Sequence, residues 1–169
     1  MKTIIKKYNI EIVQETSKKY DGAFNAITST DKAVKAFNDI FNIQNQAEEV
    51  LALICLDTKN KIIGAFEVSR GTLNASMAHP REVFKRALLL NAARIMLCHN
   101  HPSGELEPSS ADDVMTERLF KAGELMGIEL LDHIILANAS SEFYSYRGET
   151  NLLTDGIHLA MKKLNGLNY

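Results

Sequence analysis

Strands and helices alternate between residues 50 and 137, which predicts an α/β (α+β) domain built on a mixed β-sheet flanked by helices. Three observations carry the prediction. Apolar, β-compatible runs occupy 50–56, 62–68 and 94–99, and stripes of helical period lie before and between them. No repeat, low-complexity stretch or Pro/Gly/Ser-rich linker divides the chain, whose 169 residues suit a single domain over 1–169.

In chain order, residues 8–14 (Tyr-Asn-Ile-Glu-Ile-Val-Gln) read as a first strand. Ser29, Thr30 and Asp31 offer an N-cap for a helix to about Phe41, with Ala33, Val34, Ala36, Phe37, Ile40 and Phe41 at helical spacing. Val50–Leu56 and Ile62–Val68 flank the polar turn 57–61, the pattern of a hairpin. Pro80 suits the first turn of a helix to about Asn91, since its missing N–H costs nothing there. Arg94–His99 is a short strand that stops at a His-Asn-His-Pro-Ser-Gly loop. Ser109 caps a helix through about Met126, ended by Gly127. Glu129–Ala137 and Phe143–Tyr146 read as strands, and Leu152–Leu164 as a final helix within the tail 148–169.

Composition narrows the function classes. A net charge of −2 gives the chain no general pull on nucleic acid or an anionic membrane. The lysines at 2, 6, 7, 18 and 19 read as a solvated face rather than a binding patch. No apolar run has the length of a signal peptide core or a membrane span, so the expected location is the cytoplasm. Cys55 and Cys98 lie inside apolar runs and read as buried free thiols.

The informative segment is His99-Asn100-His101-Pro102-Ser103-Gly104-Glu105-Leu106-Glu107-Pro108-Ser109-Ser110-Ala111-Asp112. Histidines at i and i+2 share one face of a strand. Asp112 sits just inside the next helix, and Pro102, Gly104 and Pro108 suit a loop that folds that helix back. Two imidazoles and a carboxylate, with a fourth position for water, form a ligand set of catalytic zinc type. The same set accepts iron, manganese or cobalt. Hydrolysis also needs a carboxylate near the metal that is not a ligand, and Glu67 in the run 64–68 is the best candidate. Ser109 offers a hydroxyl to a developing oxyanion.

This string resembles the JAB/MPN metalloprotease signature, His-x-His-Pro followed by Ser-x-x-Asp. Within that superfamily the chain is similar to the bacterial RadC-like proteins, through HNHPSG and PS-x-x-D. Glu67-Val-Ser-Arg-Gly-Thr-Leu73, Pro80-Arg-Glu-Val-Phe84 with Ala87, and Leu131-Asp-His-Ile-Ile135 extend the match. The resemblance covers about residues 30–147, leaving 1–29 as an N-terminal extension. It implies a cytidine-deaminase-like fold and a zinc ion on His99, His101 and Asp112, with Glu67 as general acid/base and Ser109 assisting. Full-length RadC-like proteins carry an N-terminal helix-hairpin-helix region associated with DNA binding, and this chain reads as a short form without it.

Competing readings attach to single residues. Ser109-x-x-Asp112 is also a helix capping box, and the two roles are compatible. Asp113 competes with Asp112, but the family spacing selects Asp112. Glu67 could instead be an edge-strand partner of Arg70. His133 reads as a hydrogen-bonded structural histidine, His79 as part of a helix start, and Cys98 as core on the face opposite His99. The leading expectation is a zinc-dependent hydrolase of peptide or isopeptide bonds acting on a protein substrate. The alternative is a DNA-repair-associated accessory protein acting on or near nucleic acid. Base deamination is disfavoured, because zinc deaminases need a Pro-Cys-x-x-Cys element that is absent here.

Overall fold

The computed structural model describes residues 26–71, 78–138, 140–150 and Leu153. The expected strand at 8–14, the N-terminal lysines and nearly all of the expected tail helix lie outside the described residues. Helix α1 (Thr30–Phe41) leads into a hairpin of β1 (Glu49–Leu56) and β2 (Ile62–Gly71). Then follow α2 (Pro80–Leu89), β3 (Arg94–His101), α3 (Ser110–Met126), β4 (Glu129–Ala137), β5 (Phe143–Ser145) and the short α4 (Tyr146–Glu149).

The strands form one sheet in the order β2-β1-β3-β4-β5, with β3 and β4 parallel and the other pairs antiparallel. The mixed sheet follows from the connections. A five-residue turn suffices for the antiparallel hairpin, whereas α3 is the crossover that parallel β3 and β4 require. In the hairpin turn, Asp57 Oδ1 accepts hydrogen bonds from the Lys59 and Lys61 amides at 2.7 and 2.9 Å. Asn60 takes the left-handed conformation there, at φ +59°.

Side-chain alternation splits the core into two layers. On one face, Leu51, Leu53, Leu97 and Ile135 pack with Val83 and Phe84 of α2 and Leu119 of α3. On the other, Ala52, Ile54, Met96, Cys98 and Ile134 pack with Ala33, Ala36 and Phe37 of α1. Burial on both faces explains why β1 and β3 read as unbroken apolar runs. Gly123 allows α3 to turn into β4, because a Cβ there would lie 2.5 Å from the Ile128 carbonyl oxygen and 3.3 Å from Phe84.

Both cysteines are buried free thiols, and burial pushes Cys55 up to about 12. Among the described residues, no helix is long and apolar enough to cross a membrane.

Candidate metal centre

The strand carrying the histidines is longer than its apolar run suggests. β3 continues through Asn100 to His101, so strand alternation sets both rings on the face shared with Leu97, towards α3. Pairing drives the extension, since Asn100 and His101 stay in register with Leu136 and Ala137 of β4. Gly104, at φ +84°, donates its amide to the His101 carbonyl at 3.1 Å and starts the return of the loop.

Ser109 caps α3 by accepting the Asp112 amide at 3.2 Å, and Asp112 Oδ2 accepts the Ser109 amide at 2.8 Å and hydroxyl at 2.5 Å. That capping box turns Asp112 towards β3, where it is only 5% exposed. Asp112 Oδ1 lies 3.4 Å from His99 Nε2, and Oδ2 lies 3.6 Å from His101 Nε2. The two Nε2 atoms are 3.0 Å apart. Ligands about 2.1 Å from a tetrahedral zinc stand about 3.4 Å from each other, so this donor set fits such an ion. Among the described residues, His99, His101 and Asp112 form the one group able to hold a metal. The rival Asp113 is engaged elsewhere, accepting the Tyr146 hydroxyl at 2.7 Å.

Electrostatics suit the same purpose. Burial lowers His99 to about 4, overriding the pull of Asp112. Burial likewise holds His133 well below the usual histidine range. Both rings are therefore neutral near pH 7. Asp112 keeps its carboxyl below the ordinary 3.8 despite its own desolvation, because His101, His99 and Ser109 favour the anion. The His101 imidazole is raised, chiefly by its hydrogen bond to Asp112. Its Nδ1 donates to the Glu105 carbonyl at 2.8 Å, which fixes the ring with Nε2 towards the cluster.

The structure does not bring Glu67 to this cluster. Glu67 pairs with Ala52, whose side chain belongs to the α1 layer, whereas His99 pairs with Leu51 of the opposite layer. Its exposed carboxylate is held by Arg70 through two hydrogen bonds of 2.7 and 2.8 Å. The alternative reading, an edge-strand ion pair, describes it. An edge strand with one open face accepts a glutamate at little cost, so the apolar neighbours did not imply burial.

Glu49 stands where Glu67 was expected. As the first residue of β1, two before Leu51, it shares the face of His99 and His101. Its Oε2 is buried and meets no hydrogen-bond partner among the described residues. Burial and then Asp112 push its carboxyl above the ordinary 4.5, against the opposing effect of His101. Glu49, His101, Pro102 and Ser109 line a cavity of about 610 Å³, with Glu48, Glu105 and Glu107 around it. Among the described residues, no lysine or arginine lines this cavity, although Arg70 lies 3.5 Å from the Glu48 carboxylate.

Asn100, fully buried between the two histidines, holds the backbone around Glu49 from the other face of the sheet. Its Oδ1 accepts the Val50 amide at 2.8 Å, and its Nδ2 donates to the Gln46 and Glu48 carbonyls at 3.3 and 3.1 Å. An asparagine inside a buried strand was the available signal for this role. His79 caps α2, its Nδ1 accepting the Arg81 amide at 3.1 Å.

With this geometry in view, the comparisons with known proteins are specific. The family described as "RadC-like JAB domain" matches residues 27–152. The chain belongs to that family. A UPF0758 protein of Clostridium perfringens strain 13 is 54% identical over 91 residues, which are 54% of this chain and 40% of that protein. A UPF0758 protein of Chlorobaculum tepidum is 44% identical over 119 residues, or 68% and 53% of the two chains. A third, from Methanosarcina barkeri, is 49% identical over 94 residues, 56% and 41% of the two. The matched stretches thus span about two-fifths to half the length of these relatives.

Proposed function

We propose that this RadC-like JAB domain is a zinc-dependent hydrolase that cleaves an amide bond, peptide or isopeptide, in a protein substrate. The observation that carries the reading is Glu49. It places a buried, unpaired carboxylate oxygen beside a His-His-Asp cluster, and its protonation is made easier than that of an ordinary glutamate.

His99, His101 and Asp112 would hold the metal. Bound there, a zinc ion would supply a Lewis acid that acidifies water and polarises a carbonyl. Glu49, in place of Glu67, accepts the proton of the attacking water at its carboxylate and delivers it to the departing nitrogen. A raised pKa serves both halves of that task, since a weaker acid accepts more readily and is still acidic enough to protonate an amine. Ser109 contributes by orienting Asp112. Its one hydroxyl proton goes to Oδ2, so it stabilises an oxyanion only if that bond is given up. Cavity walls bearing four glutamates repel phosphates, which favours a protein chain over nucleic acid at this site.

The test is a zinc-loaded protein incubated with a peptide library, with new termini read by mass spectrometry. Wild type and Glu67→Gln should cleave alike, and Glu49→Gln should lose on the order of 10²-fold or more. Cleavage that survives Glu49→Gln would refute the role of Glu49.

A further inference from the structure

His101 has its tautomer fixed by a backbone carbonyl, which can only accept. His99 has no such partner. Its Nδ1 lies 2.8 Å from Nε2 of His133, another imidazole that can either donate or accept. His133 is fully buried on β4, stacked on Tyr146 at 5.2 Å with an interplanar angle of 8°. Its Nδ1 lies 2.6 Å from the Thr116 hydroxyl, and Thr116 Oγ1 lies 2.7 Å from the Asp112 carbonyl oxygen. The contacts form one chain from the backbone of one candidate ligand to the ring of another.

Such a chain can run in two senses, and only one leaves His99 able to bind a metal. If Thr116 donated to His133, then His133 Nε2–H would donate to His99 Nδ1, and the His99 proton would sit on Nε2. The Asp112 carbonyl opposes that sense. It accepts only, at 2.7 Å from Thr116 Oγ1, and so it takes the single hydroxyl proton. His133 Nδ1–H must then donate to Thr116, His133 Nε2 accepts, and His99 Nδ1–H donates to it. His99 Nε2 is left bare, facing His101 and Asp112.

We propose that Thr116 and His133 are positioning residues that hold the His99 ring proton on Nδ1, so that the Nε2 donor is formed before any metal binds. The proposal rests on the metal-site reading above for its purpose, but its structural content concerns the metal-free protein. Chain order supports it, because Thr116 is one turn after Asp112 on α3. A single helix therefore supplies both the third ligand and the group that sets the tautomer of the first.

The test is long-range proton–nitrogen NMR of the imidazoles in the metal-free protein, with a zinc titration against a chromophoric chelator. Wild type should show His99 and His133 both protonated on Nδ1. Thr116→Val should release the His133 proton to either nitrogen and weaken zinc binding, and Thr116→Ser should restore both. His133→Leu removes the acceptor and should weaken zinc on the order of 10- to 100-fold. His133→Gln offers a carbonyl oxygen near the Nε2 position and should recover most of that loss. Thermal unfolding of each variant separates these effects from misfolding. His99 protonated on Nε2 in wild type, or wild-type tautomers and affinity in a folded Thr116→Val, would overturn the proposal. Should wild type bind no zinc, the metal reading fails, and the spectrum alone still decides whether the relay exists.

Discussion

Glu49 and Glu67 lie on neighbouring strands, one at the start of β1 and the other towards the end of β2, and their surroundings are opposite. Glu67 is exposed and satisfied by the Arg70 guanidinium. Glu49 has a buried oxygen without a partner, and its charge faces that of Asp112. A carboxylate with a partner in water is stable where it is and performs no chemistry. A carboxylate desolvated without a partner costs stability, which the fold tolerates because the rest of the site surrounds it. The lesson concerns direction as much as burial. Along β2 one face is open, whereas the β1 face bearing Glu49 is shared with both histidines.

The largest expected effect breaks or keeps this contrast directly. Glu49→Gln should lower kcat for amide cleavage by about 10²- to 10⁴-fold with little change in zinc affinity, since Glu49 is not a ligand. Glu67→Gln should stay within about twofold. His99→Ala should abolish zinc binding measured by metal analysis, and activity with it. Equal losses in the two glutamate variants would mean that the faces of the sheet do not divide the labour in this way.

Metal and protons compete for the same atoms, which gives the next effect. In wild type, zinc at 100 times its dissociation constant should add about 2.7 kcal/mol to unfolding stability, and chelation should remove it. Without metal, the raised His101 contributes stability that is complete below its ordinary 6.5 and is lost as pH rises through its folded value. The lowered Asp112 contributes stability that is present above 3.8 and is lost as pH falls. His99 and His133, both lowered by burial, contribute stability that is lost as pH falls below their ordinary 6.5. The metal-free cluster's contribution should therefore be greatest near pH 6.5 and fall on either side, in thermal unfolding scans across pH. Asp112→Asn should flatten the alkaline limb, which His101 owes chiefly to Asp112, and an unchanged alkaline limb would show that the pair does not set it.

The sequence revealed most of the fold because its elements announce themselves locally. Ser29, Pro80, Ser109 and Gly127 mark helix ends, and Asp57 and Asn60 mark the hairpin. The histidines and Asp112 were readable for the same reason, being joined by one strand, one loop and one helix turn. Glu49 was not, because its place depends on β1 pairing with β3 from fifty residues away. Its flanks, Glu48 and the apolar run 50–56, look like an ordinary strand start. The role of Asn100 was hidden similarly, since its hydrogen bonds reach back to residues 46–50.

The smallest effect concerns the stability of the same two glutamates. Neutralising Glu67 removes an exposed ion pair, so Glu67→Gln should cost between nothing and about 1 kcal/mol in urea unfolding, and less at high salt. Neutralising Glu49 removes a partly desolvated charge facing another carboxylate, so metal-free Glu49→Gln should be more stable than wild type at pH 8, by less than about 1 kcal/mol because water screens a half-exposed group. The gain should shrink as pH falls, because a carboxyl with a raised pKa protonates in the native state and wild type then approaches the variant. Opposite signs for two identical substitutions on adjacent strands would be the thermodynamic form of the contrast. A destabilised Glu49→Gln would mean that the Glu49 carboxylate is held by a favourable contact, and the case for its chemical role would weaken accordingly.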